Sequence, residues 1–159
     1  MARMAKKRRH TVLVDEHVHD WVAAVFREYD FRVLNASRDH KYHGRDERGY
    51  IGELRRDNIV FVTQDREFVQ RLTLEGVQHG GVIWLPKGWP KEAAIAVHAA
   101  VGMLLGALDQ SSKGAHNTVI RIADDGLYTI INGREQLAWS VDQMELDINE
   151  ELGRRNLGG

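Results

Sequence analysis

The sequence contains no cysteine and only two prolines. Without cysteine there is no disulfide, no zinc ribbon and no thiolate nucleophile, so carboxylates and imidazoles remain as metal ligands. Pro86 and Pro90 bracket a single turn, Lys87-Gly88-Trp89. Neither sign of charge dominates: 22 Lys and Arg stand against 23 Asp and Glu, for a formal net charge of −1. The molecule as a whole is therefore not a general polyanion binder, and any nucleic-acid contact must come from local basic patches. Long apolar runs are missing too. The most apolar helix, over 91–108, starts at Lys91-Glu92, holds His98 and is followed by Asp109, and it is short for a bilayer span. The basic segment 1–10 leads only into Val12-Leu13-Val14, a strand-sized run and not a signal-peptide core. The expectation is a soluble, cytoplasmic protein without membrane contact. Segment 1–10 reads as a solvated basic leader, with nucleic-acid contact by Lys6-Lys7-Arg8-Arg9 as the alternative.

Within 159 residues, enough for one domain, an apolar share of 43% supplies a core. Periodicity then assigns elements. A β-branched run at 11–14 ends in Asp15-Glu16. Val18, Trp21, Val22, Val25 and Phe26 recur at helical spacing over 18–29. A second strand is expected at 31–35, a polar loop at 36–45 and a helix at 46–57 with Tyr50, Ile51 and Leu54 on one face. The run 59–63 is continuously apolar, as a strand covered on both faces should be. Asp65 opens a helix with Phe68, Val69 and Leu72 on its buried stripe, and Gly80-Gly81 leads into a strand at 82–85. Strand–helix alternation predicts a mainly parallel sheet with helices on both faces. After Asp109 come a polar connector and then 118–123, Asp124-Asp125-Gly126, 127–131, the hairpin signal Asn132-Gly133 and 135–141. This reads as a C-terminal β-meander that either adds antiparallel strands to the sheet or forms a partner-facing flap. Residues 142–159 read as a short helix and a frayed tail.

In an open parallel sheet, ligands bind outside the carboxyl ends of the strands. Three acids map to that edge: Asp15 directly after the first strand, Asp65 after the third, and Asp46 at the start of the helix that follows the second. Glu16 and Glu67 are near enough to join them. Clustered carboxylates repel and tend to protonate unless a cation is present. Hard cations such as Mg²⁺ or Mn²⁺ prefer oxygen ligands. A metal so held activates water and stabilises charge on a phosphate, which suits phosphodiester hydrolysis without a covalent intermediate. The alternative is capping, because Asp at a helix N-terminus satisfies free N–H groups and suits the dipole. Asp46 and Asp65 fit that role singly. Asp15 has no evident capping duty.

The segments VLVDEHVHDWVAAVFREYDFRV, HGRDERGYIGELRRDNIVFVTQDREF and GGVIWLP, in this order, resemble the PIN-like family of small ribonucleases related to the PIN-domain toxins of VapC type. The resemblance covers about 11–108. It rests on a strand ending in Asp-Glu, a glycine shortly before Asp46-Glu47 at the opening of the second helix, Val62-Thr63-Gln64-Asp65-Arg66-Glu67-Phe68, and Gly80-Gly81-Val82-Ile83. It implies a three-layer α/β/α domain and a metal-dependent endoribonuclease, with the toxin half of a toxin–antitoxin pair, partnered by an antitoxin protein, as one role. It further implies Asp15, Asp46 and Asp65 as metal ligands, Glu67 as an auxiliary acid, Glu16 as the second half of the Asp-Glu pair, and Thr63 as a hydroxyl that orients a ligand or a water. His17 departs from the pattern, where Asn is common, and 109–159 is longer than the usual tail. A catalytically silent nucleic-acid or protein binding module is the second reading. An aspartate phosphoacceptor is the third, and Leu85-Pro86, standing where such domains place a lysine, counts against it.

Other residues carry weaker signals. His17 and His19 form a His-x-His pair, but diverge at a helix start. Arg38, Lys41, Tyr42, His43 and Arg45 make a basic loop beside the acidic edge, suited to a phosphate backbone with Tyr42 on a base, or simply solvated; His40 lies in the same loop. Trp21 and Trp84 are expected in the core, and Trp89 exposed at a subunit contact. Ala93, Ala94, Ala96, Ala99, Ala100, Gly102 and Gly106 suit close helix packing, either across a homodimer or on the chain's own sheet.

Overall fold

The computed structural model describes residues 10–36, 59–87, 93–111 and 114–140. Within them run β1 (Thr11–Val14), α1 (Asp20–Glu28), β2 (Arg32–Asn35), β3 (Ile59–Thr63), α2 (Arg66–Leu74), β4 (Val82–Trp84), α3 (Ala93–Gln110), β5 (Thr118–Ala123), β6 (Gly126–Ile131) and β7 (Arg134–Ser140). The seven strands form one sheet in the order β2-β1-β3-β4-β5-β6-β7. The class is α/β with a mainly parallel sheet. The expected helix at 46–57, the basic loop 38–45, Trp89 and the segments 1–9 and 141–159 lie outside the described residues.

β1 and β3 are buried at every position. Side chains alternate across a strand, and the two sets enter two clusters. Val12, Val14, Val60, Val62, Ile83, Leu85, Ile120 and Ile122 pack with Val22 and Phe26 of α1 and with Val97, Val101 and Leu104 of α3. Leu13, Phe61, Val82 and Val119 pack with Phe68, Val69 and Leu72 of α2. The Phe61 and Phe68 rings meet edge-on, with centroids 5.3 Å apart. No helix among the described residues is long and apolar enough to cross a membrane.

The small-residue row on α3 divides. Ala96, Ala99 and Ala100 are buried against the chain's own core. Gly102 and Gly106 are exposed, with open space around them. Trp21 is partly buried against the first cluster. Trp84 is likewise only partly buried, at the rim of the second.

The meander differs from expectation at its first strand. β5 runs parallel to β4, pairing Val82 with Val119 and Trp84 with Arg121. Among the described strands β6 alone runs against the rest, pairing antiparallel with β5 on one side and β7 on the other. The reason lies in α3: its 18 residues carry the chain back roughly 27 Å at 1.5 Å per residue, so the next strand starts at the same end as its neighbour. The hairpin signal holds, since Asn132 (φ 53°) and Gly133 (φ 76°) are both left-handed. At Gly126 a Cβ would stand 2.1 Å from the Trp139 carbonyl oxygen, so only glycine lets β6 and β7 approach there. The extra residue on β7, Ala138, makes a bulge beside Leu127 and Tyr128.

A buried histidine ties β4 to β5. The His79 backbone N–H donates to Asn117 Oδ1 (3.0 Å), the Asn117 N–H donates to the His79 carbonyl (2.9 Å), and the Gly81 N–H donates to His79 Nδ1 (3.2 Å). Nδ1 accepts, so the imidazole is neutral with its proton on Nε2. Burial, helped by the nearby His116, lowers its pKa to about 4. The unfolded chain therefore binds a proton that the folded chain refuses between about pH 6.5 and 4, and stability is lost as pH falls through that window. The expected loss from this group is roughly 3 kcal/mol. Urea unfolding at pH 7 and at pH 4 checks it: the fall should be smaller by about that amount in His79→Gln than in the parent.

Candidate functional site

Because β1, β3, β4 and β5 are parallel, their carboxyl ends share one edge. Asp15 follows β1, Gln64-Asp65 follows β3, Leu85-Pro86 follows β4 and Asp124 follows β5. β1 and β3 are neighbours, so Asp15 and Asp65, 50 positions apart in the sequence, are brought to the same place. The Asp15 N–H extends the ladder by donating to the Val62 carbonyl (3.0 Å), and the Asp15 carbonyl accepts from the Val18 N–H (3.1 Å), closing the turn that leads into α1.

Thr63 is the joint between the two acids. Its side chain is fully buried, and a hydroxyl there must be bonded or destabilise the fold. It donates to Asp15 Oδ2 (2.8 Å) and accepts from the Asp65 N–H (3.0 Å). The Thr63 carbonyl in turn accepts from the Leu85 N–H (2.8 Å), so β4 braces the same residue. Asp15 Oδ1 accepts from the Glu16 N–H (2.8 Å). Asp65 is the N-cap of α2, with Oδ1 accepting from the Phe68 N–H (3.1 Å). The capping reading is thus correct for Asp65, and it occupies one of the two carboxylate oxygens.

The remaining candidates fall as follows. Glu67 is exposed in the first turn of α2, and Glu16 is exposed beside Asp15. His17 and His19 are exposed, and His19 caps α1 without a side-chain bond. Asp46, Arg38, Lys41, Tyr42, His43 and Arg45 lie outside the described residues. Among the described residues no three His, Asp or Glu side chains gather closely enough to hold a metal. What is brought together is a carboxylate pair, Asp15 and Asp65, joined through a threonine. A carboxylate accepts about four bonds, so both acids retain lone pairs.

One feature of the sheet went unread in the sequence. Trp84 and Arg121 are register partners, and the Arg121 guanidinium carbon lies 4.5 Å from the Tyr128 ring centroid and 6.0 Å from that of Trp84. Glu135 pairs with Arg121, whose Nε lies 2.7 Å from Oε1. Tyr128 donates to Asp125 Oδ2 (2.6 Å), which holds its phenol above the usual range. The available signal was one arginine in an otherwise apolar strand; its partners depend on register.

Compared with family models, curated proteins and solved structures, the chain matches none.

The cap and any ligand role of Asp65 separate by substitution. Asp65→Asn keeps an acceptor for the Phe68 N–H and should unfold within a few tenths of a kcal/mol of the parent, whereas Asp65→Ala should lose about 1 kcal/mol in thermal or urea unfolding.

Proposed function

We propose that the chain is a metal-dependent endoribonuclease of PIN-like type, a three-layer α/β/α domain whose acidic edge hydrolyses RNA phosphodiester bonds. The observation that carries this reading is the buried Thr63 hydroxyl holding the Asp15 carboxylate against the start of the helix that Asp65 heads. Two carboxylates, each with lone pairs to spare, fit a hard divalent cation, since Mg²⁺ is commonly held by one or two carboxylates with waters and substrate phosphates filling the other positions. Asp15 and Asp65 would hold Mg²⁺ or Mn²⁺, with Asp46 as the third ligand. When bound, the ion supplies charge for the phosphate and a more acidic water.

The chain's own residues do the positioning. Thr63 fixes the rotamer of Asp15, in the way an outer hydrogen bond orients a metal ligand. Asp65 uses Oδ1 for the cap and keeps Oδ2 for a ligand. Glu67, exposed in the first turn of α2, is the auxiliary acid, and Glu16 completes the Asp-Glu pair. The loop carrying Arg38, Lys41, Tyr42, His43 and Arg45 would meet the RNA backbone. A homodimer across the exposed Gly102 and Gly106, and an antitoxin partner, belong to the same reading, in which the protein works in the cytoplasm.

A specific observation also favours the silent binding module. Both Asp15 oxygens and one Asp65 oxygen already serve internal hydrogen bonds, so the acids have structural employment without turnover. Activity separates the two readings. Purified chain with Mn²⁺ should cut single-stranded RNA and stop when EDTA is added. Asp15→Asn should lower the rate on the order of 100-fold or more, and Thr63→Val roughly 10- to 100-fold. A parent protein that is inert on varied RNAs with Mg²⁺ and Mn²⁺, while still binding them, would establish the silent module instead.

A further inference from the structure

A groove of about 1020 Å³ runs between α2 and the strands beyond it. Gln64, Arg66 and Lys87 border it at the carboxyl edge where the acids lie, Trp84 and Arg121 line its middle, and Glu135 of β7 its far side. The second cluster places α2 over Leu13, Phe61, Val82 and Val119, and beyond that cover Trp84 is only partly buried. From β4 to β7 the groove crosses three strand spacings, roughly 14 Å. Small-molecule pockets are typically about 300–1,000 Å³ and enclosed; an open trough of this size suits a chain.

We propose that this groove binds a single-stranded segment of RNA and delivers it to the Asp15–Asp65 edge. The proposal rests on the ribonuclease reading for its direction, and on the groove's own chemistry for its occupant. Arg66, in the first turn of α2, and Lys87, just past β4, flank the acidic end, and neither forms an ion pair with a described carboxylate. Cations in that position suit phosphates. Farther along, Trp84 and the guanidinium of Arg121 offer flat faces. Arg121 is held in place by Glu135 and by the Tyr128 ring. Flat faces suit stacked bases, which a single strand exposes and an A-form duplex hides. Glu135 contributes by neutralising Arg121, so the middle of the groove binds by stacking; at its acidic end Arg66 and Lys87 outnumber Asp124, the carboxylate that lines the groove there.

The experiment uses the full chain carrying Asp15→Asn in EDTA, so that no cleavage intervenes. A fluorescent 12-nucleotide single-stranded RNA of mixed sequence is titrated by anisotropy over a range of salt. Arg66→Ala with Lys87→Ala should weaken binding more than tenfold and reduce the slope of log affinity on log salt by roughly 1.4, two phosphate contacts at about 0.7 each. Trp84→Leu, which keeps an apolar rim, should cost about tenfold with little change in slope. Arg27→Ala, in the last turn of α1, should change nothing. The same RNA as a duplex should compete poorly. Affinities within twofold of the parent in both groove variants, each with a native circular dichroism spectrum, would overturn the proposal, as would a parent that does not bind the single strand. If the wild-type chain binds RNA through these residues but cuts none with Mn²⁺, the ribonuclease reading fails and the groove stands.

Discussion

The hydrogen bond from Thr63 to Asp15 is the interaction on which the acidic edge of the sheet depends. A buried hydroxyl without a partner costs about 1–3 kcal/mol, so Thr63 is obliged to bond, and the parallel pairing of β1 with β3 gives it Asp15. Its lone pair then takes the Asp65 N–H, which orients the first residue of α2's approach. One small side chain thereby connects two strands, one helix start and two carboxylates. β4 is fastened to the same residue through Leu85, so the edge is set by the sheet core and not by surface loops.

Much of this was legible in the sequence, for identifiable reasons. The strands at 59–63 and 118–123 coincide with their predicted bounds because each is a mostly apolar run ended on both sides by polar residues, Asn58 and Gln64 for the first and Asn117 and Asp124 for the second. Asp65 marked a helix start because an acid before an apolar 3.6-residue period is a cap signal. Asp15 and Asp65 could be placed together because strand ends converge in a parallel sheet. The direction of β5 is not carried by the strand itself, since alternation is the same in parallel and antiparallel strands; it was legible only through the helix expected over 91–108, which is long enough to return the chain to the starting edge. The pairing of Trp84 with Arg121 was hidden for a related reason, since register is a property of two strands and neither residue names the other. Thr63 gained its expected role from resemblance alone; no periodicity distinguishes it from a threonine that merely ends a strand. Asp46 and the basic loop lie beyond the described residues.

Capping and metal binding are often set against each other, but at Asp65 they would use different atoms. Oδ1 satisfies the helix, and the same bond holds the carboxylate in one rotamer, which would lower the entropy lost on ligation of Oδ2 in the proposed site. Asp15 is treated alike, with one oxygen on Thr63 and the other on the Glu16 N–H. A pair of acids fixed by the fold before any ligand arrives is preorganised, and the groove beside it would bring a strand to that fixed edge. The addition of β6 and β7 widens the sheet past the acids and supplies Tyr128 and Glu135 to hold Arg121.

Metal-dependent cleavage at this edge would require the two carboxylates to share a cation. Crystals soaked in Mn²⁺ and measured for anomalous scattering test it most directly. One peak is expected in contact with both Asp15 and Asp65, at roughly 2.0–2.3 Å from a carboxylate oxygen of each, with the Thr63 hydroxyl still bonded to Asp15. An absence of density at that edge at saturating Mn²⁺, with both acids engaged only by their internal hydrogen bonds, would contradict it.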